Sequence, residues 1–421
     1  MLLGNCINGV SLSLNAMLTS VVESSREIEL MLSFGANSYE ASSRLIKESI
    51  RVGSMPQFNS MAIIGLISIP GMMTGQILGG NTVTQAARYQ ILIIYLIAFC
   101  CFGSILAEVL FTVRVCFDSR TMLRLDRLKR NNKKKSHLSA IFSVLRELLG
   151  YRERSDSSSS FSYSLDEASF LAPKGELTVS TPREAEQGTN DTLIVSDLSY
   201  GFQKEGEKDN GSPKAKVFRM LFQNITFTLT ESERCLVDGP SGVGKSTLLR
   251  IIAGLTPPGD GEVLLCGKPQ SSFDNMTLWR RQVLYVPQTK VDFSGSPMSL
   301  LTKISSFQVW KNEDIKSPPI SRMIRDVQEL MLEWGMDPSL LDSEWKILSG
   351  GESQRLLLGI ALASHPKVIL LDESTSALDL ATKVKLEKSI ENYCATHKMI
   401  AIWITHDQTQ QGRMQMNGKN H

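Results

Sequence analysis

The sequence predicts an α-helical membrane segment followed by an α/β domain with a largely parallel sheet. Three observations carry this reading. Residues 1–118 are apolar and sparsely charged, with six Lys or Arg and seven Asp or Glu. Residues 119–135 invert that composition with eight basic side chains. From about 192, strand-length apolar runs alternate with helical stretches, as in a parallel sheet with crossover helices.

The chain has 421 residues, enough for two or three domains. Its 45 basic and 43 acidic side chains leave a net charge of +2, which argues against a dedicated nucleic-acid binder. Seven cysteines without a CxxC pair do not form a disulfide framework and read as reduced, structural thiols.

Three N-terminal stretches approach the roughly 20 apolar residues that span a bilayer as helix. Residues 1–22 carry no charge but include Asn5, Asn8 and several Ser. Residues 58–80 are also uncharged, and Pro70 with five Gly predicts a broken or re-entrant span. Residues 89–113 contain only Glu108 as a charge and fit a span best. A signal peptide at 1–22 would need a basic start and a small-residue cleavage site, which are missing. The basic run 119–135 behind the third stretch marks a cytoplasmic flank, and alternation puts the segment 23–52 on the same side. Gly71, Gly75 and Gly79 have the small-xxx-small spacing that lets membrane helices approach closely. Residues 119–191 read as basic flank, a short amphipathic helix over 136–150 and a Ser-rich linker that includes SDSSSS at 155–160.

The chemistry concentrates after residue 192. The apolar run CLVD (235–238) leads into GPSGVGKST (239–247) and then LLRIIAGL, a G-x-x-x-x-G-K-S loop between strand and helix. Gly239, Gly242 and Gly244 let the backbone curl, so that the loop Gly239, Pro240, Ser241, Gly242, Val243, Gly244, Lys245, Ser246 and Thr247 surrounds phosphate oxygens with its N–H groups, Pro240 having none to give. Lys245 adds a full positive charge, and the Ser246 hydroxyl suits Mg²⁺. The run KVILLDEST (367–375) reads as a buried parallel strand ending at Asp372, a second Mg²⁺ ligand, with Glu373 next to accept a proton from attacking water. LSGGESQR (348–355) offers the Ser349 hydroxyl and the Gly350 and Gly351 amides as a second anion site. Taken alone, Ser349 and Glu352 form an ordinary helix capping box.

These motifs, with SALD (376–379) and ITHD (404–407), stand in the order and spacing of an ABC-transporter ATPase, which residues 192–407 resemble. The resemblance implies an α/β P-loop NTPase domain of ABC type with a helical subdomain, extending to about 410 before a polar tail (411–421). It implies ATP and Mg²⁺ as cofactors and hydrolysis of ATP to ADP and phosphate. Tyr200 resembles the aromatic that stacks on adenine, with Phe202 as the alternative. Gln288 in YVPQ resembles the glutamine that senses Mg²⁺ and the membrane domain, Asp379 the residue that communicates across the dimer, and His406 the switch histidine. Leu348, Ser349, Gly350, Gly351 and Glu352 resemble the signature loop that closes over ATP on another copy. One copy of each motif implies a homodimer or a second ABC ATPase or permease subunit as partner.

The N-terminal part has its own resemblance. MLLGNCINGVSLSLN (1–15), EIELMLSFGANSYEA (27–41) and NSMAIIGLISIPGMMTGQILGG (59–80) look like the permease of Fet-type ABC systems, which export iron in bacteria and are related to plant aluminium-tolerance half-transporters proposed to move UDP-glucose. The resemblance implies a partial permease fused ahead of its ATPase, embedded in lipid with the ATPase cytoplasmic. Glu29 and Gly35 have the E-x5-G spacing of a coupling loop, so segment 23–52 is expected to dock near Gln288. Permeases of this type have more spans upstream, so a complete pathway is expected to need further segments or partners. The resemblance implies an ATP-hydrolysing half-transporter with metal-ion (iron) export as the first reading, and nucleotide-sugar (UDP-glucose) transport or a non-transport ABC ATPase as the alternatives.

Overall fold

In the computed structural model, the described residues are 2–63, 71–124, 177–180, 192–205, 216–273, 275–311, 318–374 and 378–405. Most of the 119–191 flank and linker, the 411–421 tail, part of SALD and His406 lie outside them.

The N-terminal region is helical: α1 (Leu2–Glu23), α2 (Ser25–Ser33), α3 (Ser38–Ala41), α4 (Ser43–Ile63), α5 (Gly71–Leu78) and α6 (Val83–Cys116). Asn37 starts α3 in a capping box with Glu40. Within the segment 23–52, α2 and α3 are followed by α4, which runs on from Ser43 into the apolar stretch with Pro56 inside it. Helix α6 begins at Val83, capped by the Thr82 side chain, and has 34 residues. At 1.5 Å per residue it is about 51 Å long, more than the roughly 30 Å hydrocarbon core. Among the described residues it alone is long and apolar enough to cross a membrane.

One face of α6 buries Ala86, Ile97, Cys101, Ile105 and Val109, and the helix packs against α1, α4 and α5. The opposite face exposes Tyr95, Leu96, Phe99 and Phe102, the side that lipid would cover. Close helix approach occurs elsewhere than the 71–79 glycine series. A Cβ at Gly71 or Gly75 would meet nothing within 4 Å. At Gly9 it would come within 3.0 Å of Ile105, and at Gly53 within 2.8 Å of Ser13. The small residues that bring α1, α4 and α6 together are therefore Gly9 and Gly53.

After 177 the chain builds two sheets. Strands β1 (Thr178–Ser180), β4 (Arg234–Asp238), β7 (Val283–Val286), β8 (Val368–Asp372) and β9 (Ile400–Ile404) form one sheet in the order β1-β4-β9-β8-β7. The pairs β4–β9, β9–β8 and β8–β7 are parallel, and β1 is antiparallel at the edge. Strands β7, β8 and β9 are buried along their whole length, as their unbroken apolar sequences require. Strands β2 (Thr192–Glu205), β3 (Lys216–Thr230), β5 (Asp260–Leu265) and β6 (Lys268–Pro269) form an antiparallel sheet in the order β3-β2-β5-β6.

Helix α7 (Lys245–Ile252) follows β4, and α8 (Met276–Gln282) precedes β7. Between β7 and β8 lie α9 (Pro297–Ser306), α10 (Ile320–Glu333) and α11 (Gly350–Ala363), a helical insertion. Helix α10 buries Met323, Val327, Leu330 and Met331, the spacing of a single apolar stripe. Helix α12 (Leu380–His397) connects β8 to β9. Strands β4 and β8 flank β9 and run parallel to it, so their carboxyl ends lie along one edge of the sheet, where ligands bind in folds of this kind.

Candidate functional site

Strand β4 delivers the chain into the glycine loop at Gly239 (φ 147°), and the loop turns through Gly242 (φ 79°) and Gly244 (φ 111°). At Gly244 a side chain would also press within 3.1 Å of the Phe222 ring, so conformation and space both require glycine. Gly244 caps α7, and Lys245 opens it. The Lys245 ammonium donates to the carbonyls of Gly239 (2.6 Å) and Pro240 (3.2 Å), folding back across the loop mouth. Burial pulls its pKa down, while Asp238, Glu373 and Asp372 pull it back up. A cation lying across a glycine loop that opens a helix is a receptor for phosphate oxygens.

Strand β8 brings Asp372 to the same point. The Ser246 hydroxyl donates to Asp372 Oδ1 (3.1 Å), and the Tyr285 hydroxyl donates to Asp372 Oδ2 (2.8 Å). Asp372 is 2% exposed. Hydroxyl and carboxylate are the hard oxygen donors that Mg²⁺ takes beside substrate phosphates, so these two residues fit that ion. Among the described residues there is no cluster of three His, Cys, Asp or Glu able to hold a metal ion without such phosphates.

Glu373 adopts a left-handed backbone (φ 46°), uncommon for a side-chain-bearing residue. Its amide donates to Ile404 O (3.2 Å), and its carboxylate accepts from Gln288 Nε2 (2.6 Å). Gln288 is tied in turn to the LSGGESQR segment, since Gln354 Nε2 donates to its carbonyl (3.1 Å). The predicted residues Lys245, Ser246, Asp372, Glu373 and Gln288 thus converge at one place.

The other candidates sit as follows. Ser349 caps α11, and its hydroxyl and amide both donate to the Glu352 carboxylate (2.7 and 2.9 Å). These hydrogen bonds hold the Glu352 carboxyl below its ordinary pKa. Leu348 O accepts from Lys290 Nζ (3.0 Å), and Gly350 and Gly351 open α11. Within one chain, then, 348–352 is a helix cap whose glycine amides start the helix. Tyr200 is half-buried and stacks on Phe222 (6.3 Å between ring centres), beside Gly244, whereas Phe202 is the more exposed ring. Asp379 caps α12 through Thr382 N (3.1 Å), and that hydrogen bonding lowers its pKa.

A second cluster joins the N-terminal helices to this domain. Arg250, in the last turn of α7, grips Glu29 of α2 with two hydrogen bonds of 2.8 and 3.0 Å. Burial would lower the Arg250 pKa, but hydrogen bonds and charge from Glu29 and Tyr285 raise it overall. Gly35 has φ +85° and lies where a Cβ would sit 3.0 Å from Thr277 O. Trp310 Nε1 donates to Phe34 O (3.1 Å), Gln308 N donates to Glu40 (2.7 Å), and the Arg281 guanidinium lies 3.9 Å over the Trp310 ring. Arg280 is fully buried and donates to Gly254 O, Thr121 O and Arg120 O at 2.9–3.3 Å. Burial pushes its pKa down to about 9. Sequence reasoning found Glu29 and Gly35 but missed Arg250, Tyr285, Arg280 and Trp310. Tyr285 stood three residues before Gln288 in the same motif, the one signal available.

An ABC transporter family model matches residues 222–376, which contain the phosphate loop, LSGGE and Asp372. Residues 222–376 therefore carry the family's pattern on the residues that meet in space. The "Probable iron export ATP-binding protein FetA" of Escherichia coli (strain K12) is 36% identical over 187 residues, covering 44% of this chain and 78% of that protein. The chain belongs to the ABC transporter family. Its N-terminal residues 1–117 match a second model, "Uncharacterised protein family (UPF0014)". The ABC cassette is also 34% identical over 179 residues to "Cholesterol transporter ABCA5" of Rattus norvegicus, covering 42% of this chain and 10% of that protein. The chain thus spans about a tenth of the length of that relative. Among solved structures, the cassette resembles MJ0796 in a dimeric post-hydrolysis state bound to ADP and Pi, with TM-score 0.41, 24% identity, and 52% and 89% of the two chains covered.

Proposed function

We propose that this chain is an ATP-hydrolysing half-transporter in which residues 1–118 are membrane segment, 192–410 the nucleotide-binding domain, and the two act together across a lipid bilayer. The observation that carries the reading is the meeting of Lys245, Ser246, Asp372, Glu373 and Gln288 at the ends of β4 and β8. ATP binds with its phosphates on the loop amides from Gly239 to Thr247 and on Lys245, with adenine against Tyr200. Ser246, Asp372 and Gln288 would hold Mg²⁺, which neutralises phosphate charge when bound. Glu373 accepts the proton of the attacking water, and Gln288 keeps its carboxylate in place. His406 follows β9 and is assigned the γ-phosphate contact.

Two copies are needed in this reading. The Gly350 and Gly351 amides and the Ser349 hydroxyl of one copy close over the γ-phosphate on the other, and Asp379 sits at the same junction. The Ser349–Glu352 capping box leaves the α11 N-terminus intact as an anion-facing helix end. The finer substrate reading is metal-ion export, supported by likeness to the probable iron-export ATP-binding protein.

The test uses full-length chain in liposomes. Glu373→Gln is expected to abolish phosphate release while retaining Mg-ATP binding and trapping a dimer in light scattering. Parental turnover in that variant would sink the assignment of Glu373. Stimulation of the parental ATPase by Fe²⁺ and not by UDP-glucose supports the metal reading; the reverse result replaces it with nucleotide-sugar transport.

A further inference from the structure

We propose that the seam between α1 and α6 seats a transition-metal cation, with the Glu108 carboxylate as its anchor and the Ser13 and Thr112 hydroxyls beside it. The inference rests on the half-transporter reading above and names where the membrane half would hold its cargo.

The two helices run parallel in a register that their contacts fix. Cys6 Sγ lies 3.3 Å from Cys101 Sγ, and a Cβ at Gly9 would lie 3.0 Å from Ile105. A step of three or four residues along α1 is matched by one along α6, so Ser13 stands level with Glu108. On α6, Cys101, Ile105, Glu108 and Thr112 follow one another at helical spacing and form a single stripe.

Polar atoms are left over on this seam. Thr112 Oγ1 donates to Glu108 Oε1 (2.8 Å). Glu108 Oε2 is buried with no hydrogen-bond partner, and the same holds for Ser13 Oγ. Ser13 is 0% exposed. Among the described residues, no Lys or Arg forms an ion pair with Glu108. A carboxylate oxygen shut away from water without donor or counter-ion is costly, and an acid in that position inside a membrane segment marks a place for a cation. One carboxylate and two hydroxyls suit a divalent ion that keeps part of its water.

The thiols narrow the class of ion. The Cys6–Cys101 pair lies seven residues back along the seam, about 10 Å from Glu108 at 1.5 Å per residue. Sulfur is a donor for transition metals and offers little to Mg²⁺ or Ca²⁺. An oxygen seat and a sulfur pair on one seam therefore fit a borderline ion such as Fe²⁺ or Co²⁺, which accepts both. Position agrees with this order. Glu108 stands eight residues before the end of α6 at Cys116, and the basic run 119–135 follows that end. The oxygen seat is thus the one nearer the cassette, where an ion leaving the cytoplasm would enter, and the thiols lie deeper.

The experiment measures Co²⁺ binding by equilibrium dialysis to full-length chain in phosphatidylcholine nanodiscs without nucleotide, and Co²⁺ stimulation of Mg-ATP hydrolysis in the same sample. Glu108→Gln keeps the side-chain shape and removes its charge. It is expected to weaken Co²⁺ binding at least about tenfold and to abolish the stimulation, with basal hydrolysis and circular dichroism unchanged. Ser13→Ala should weaken binding by a smaller factor. Parental Co²⁺ binding in folded Glu108→Gln overturns the proposal. Displacement of bound Co²⁺ by a modest excess of Ca²⁺ overturns the choice of ion class. Should the parent bind Co²⁺ without hydrolysing ATP, the half-transporter reading fails, while the dialysis still decides the seat.

Discussion

Gly35 shows how one backbone angle can hold two parts of a chain together. It turns at φ +85° directly above Thr277 O, with Phe34 O bonded to the Trp310 indole beside it. A β-branched side chain there meets a left-handed strain of about 1–3 kcal/mol and a steric block. Gly35→Val is expected to free α2 and α3 from α8. Hydrogen–deuterium exchange of peptides covering 276–282 and 308–311 should then speed up several-fold, and unchanged exchange would refute this. Glu373 carries the opposite kind of strain, a side-chain-bearing residue at φ 46° where glycine would be easier. The carboxylate held at Gln288 gives that strain a purpose, since backbone distortion at functional sites persists where chemistry requires the side chain.

At the scale of elements, α10 and α12 meet the β8 entry through a titratable cluster away from the nucleotide. His365 Nε2 lies 3.1 Å from Asp326 Oδ2 and 3.1 Å from the Tyr393 hydroxyl, and the His365 and His397 rings are 4.3 Å apart. Arg322 also faces Asp326. Burial, and then the charge of His365, lower the His397 pKa below its usual 6.5. The folded state therefore binds this proton less readily than the unfolded chain does. The associated stability is present above pH 6.5 and is lost as pH falls through the lowered value. Urea midpoints should drop between pH 7.5 and 5.5, and His397→Gln should flatten that slope; a slope equal to the parent's would exclude His397 as its source. The parallel sheet and the phosphate loop were legible in the sequence because unbroken apolar strands and a glycine-spaced loop leave local marks. The Arg250–Glu29 pair was not, since its partners are 221 residues apart and neither sits in a periodic pattern. The 71–79 glycines show a related limit, because spacing along a helix does not state which neighbour it faces, and among the described residues none comes within 4 Å of a Cβ placed at Gly71 or Gly75.

Besides the Arg250–Glu29 pair, two further contacts among the described residues join the N-terminal helices to the cassette without depending on chain continuity. One is the seat of α2 and α3 on α8 and Trp310. The other is the buried Arg280, whose guanidinium binds the carbonyls of Gly254, Arg120 and Thr121 just after α6. A guanidinium without its acceptors in that position would be costly to bury, so the 117–124 turn has a structural reason to stay. Arg280→Met is expected to lower the thermal midpoint of the intact chain and loosen that turn, read as faster exchange over 117–124; slow exchange there would show that other contacts hold it. These grips act across space, so the two parts are expected to stay together when the chain between them is cut. A protease site inserted at 155–160 and cut should leave both fragments co-eluting in detergent, and their separation would show the reverse. The peptide link then sets stoichiometry: each cassette arrives with one docked helical partner, and the proposed pair of cassettes would bring two of them.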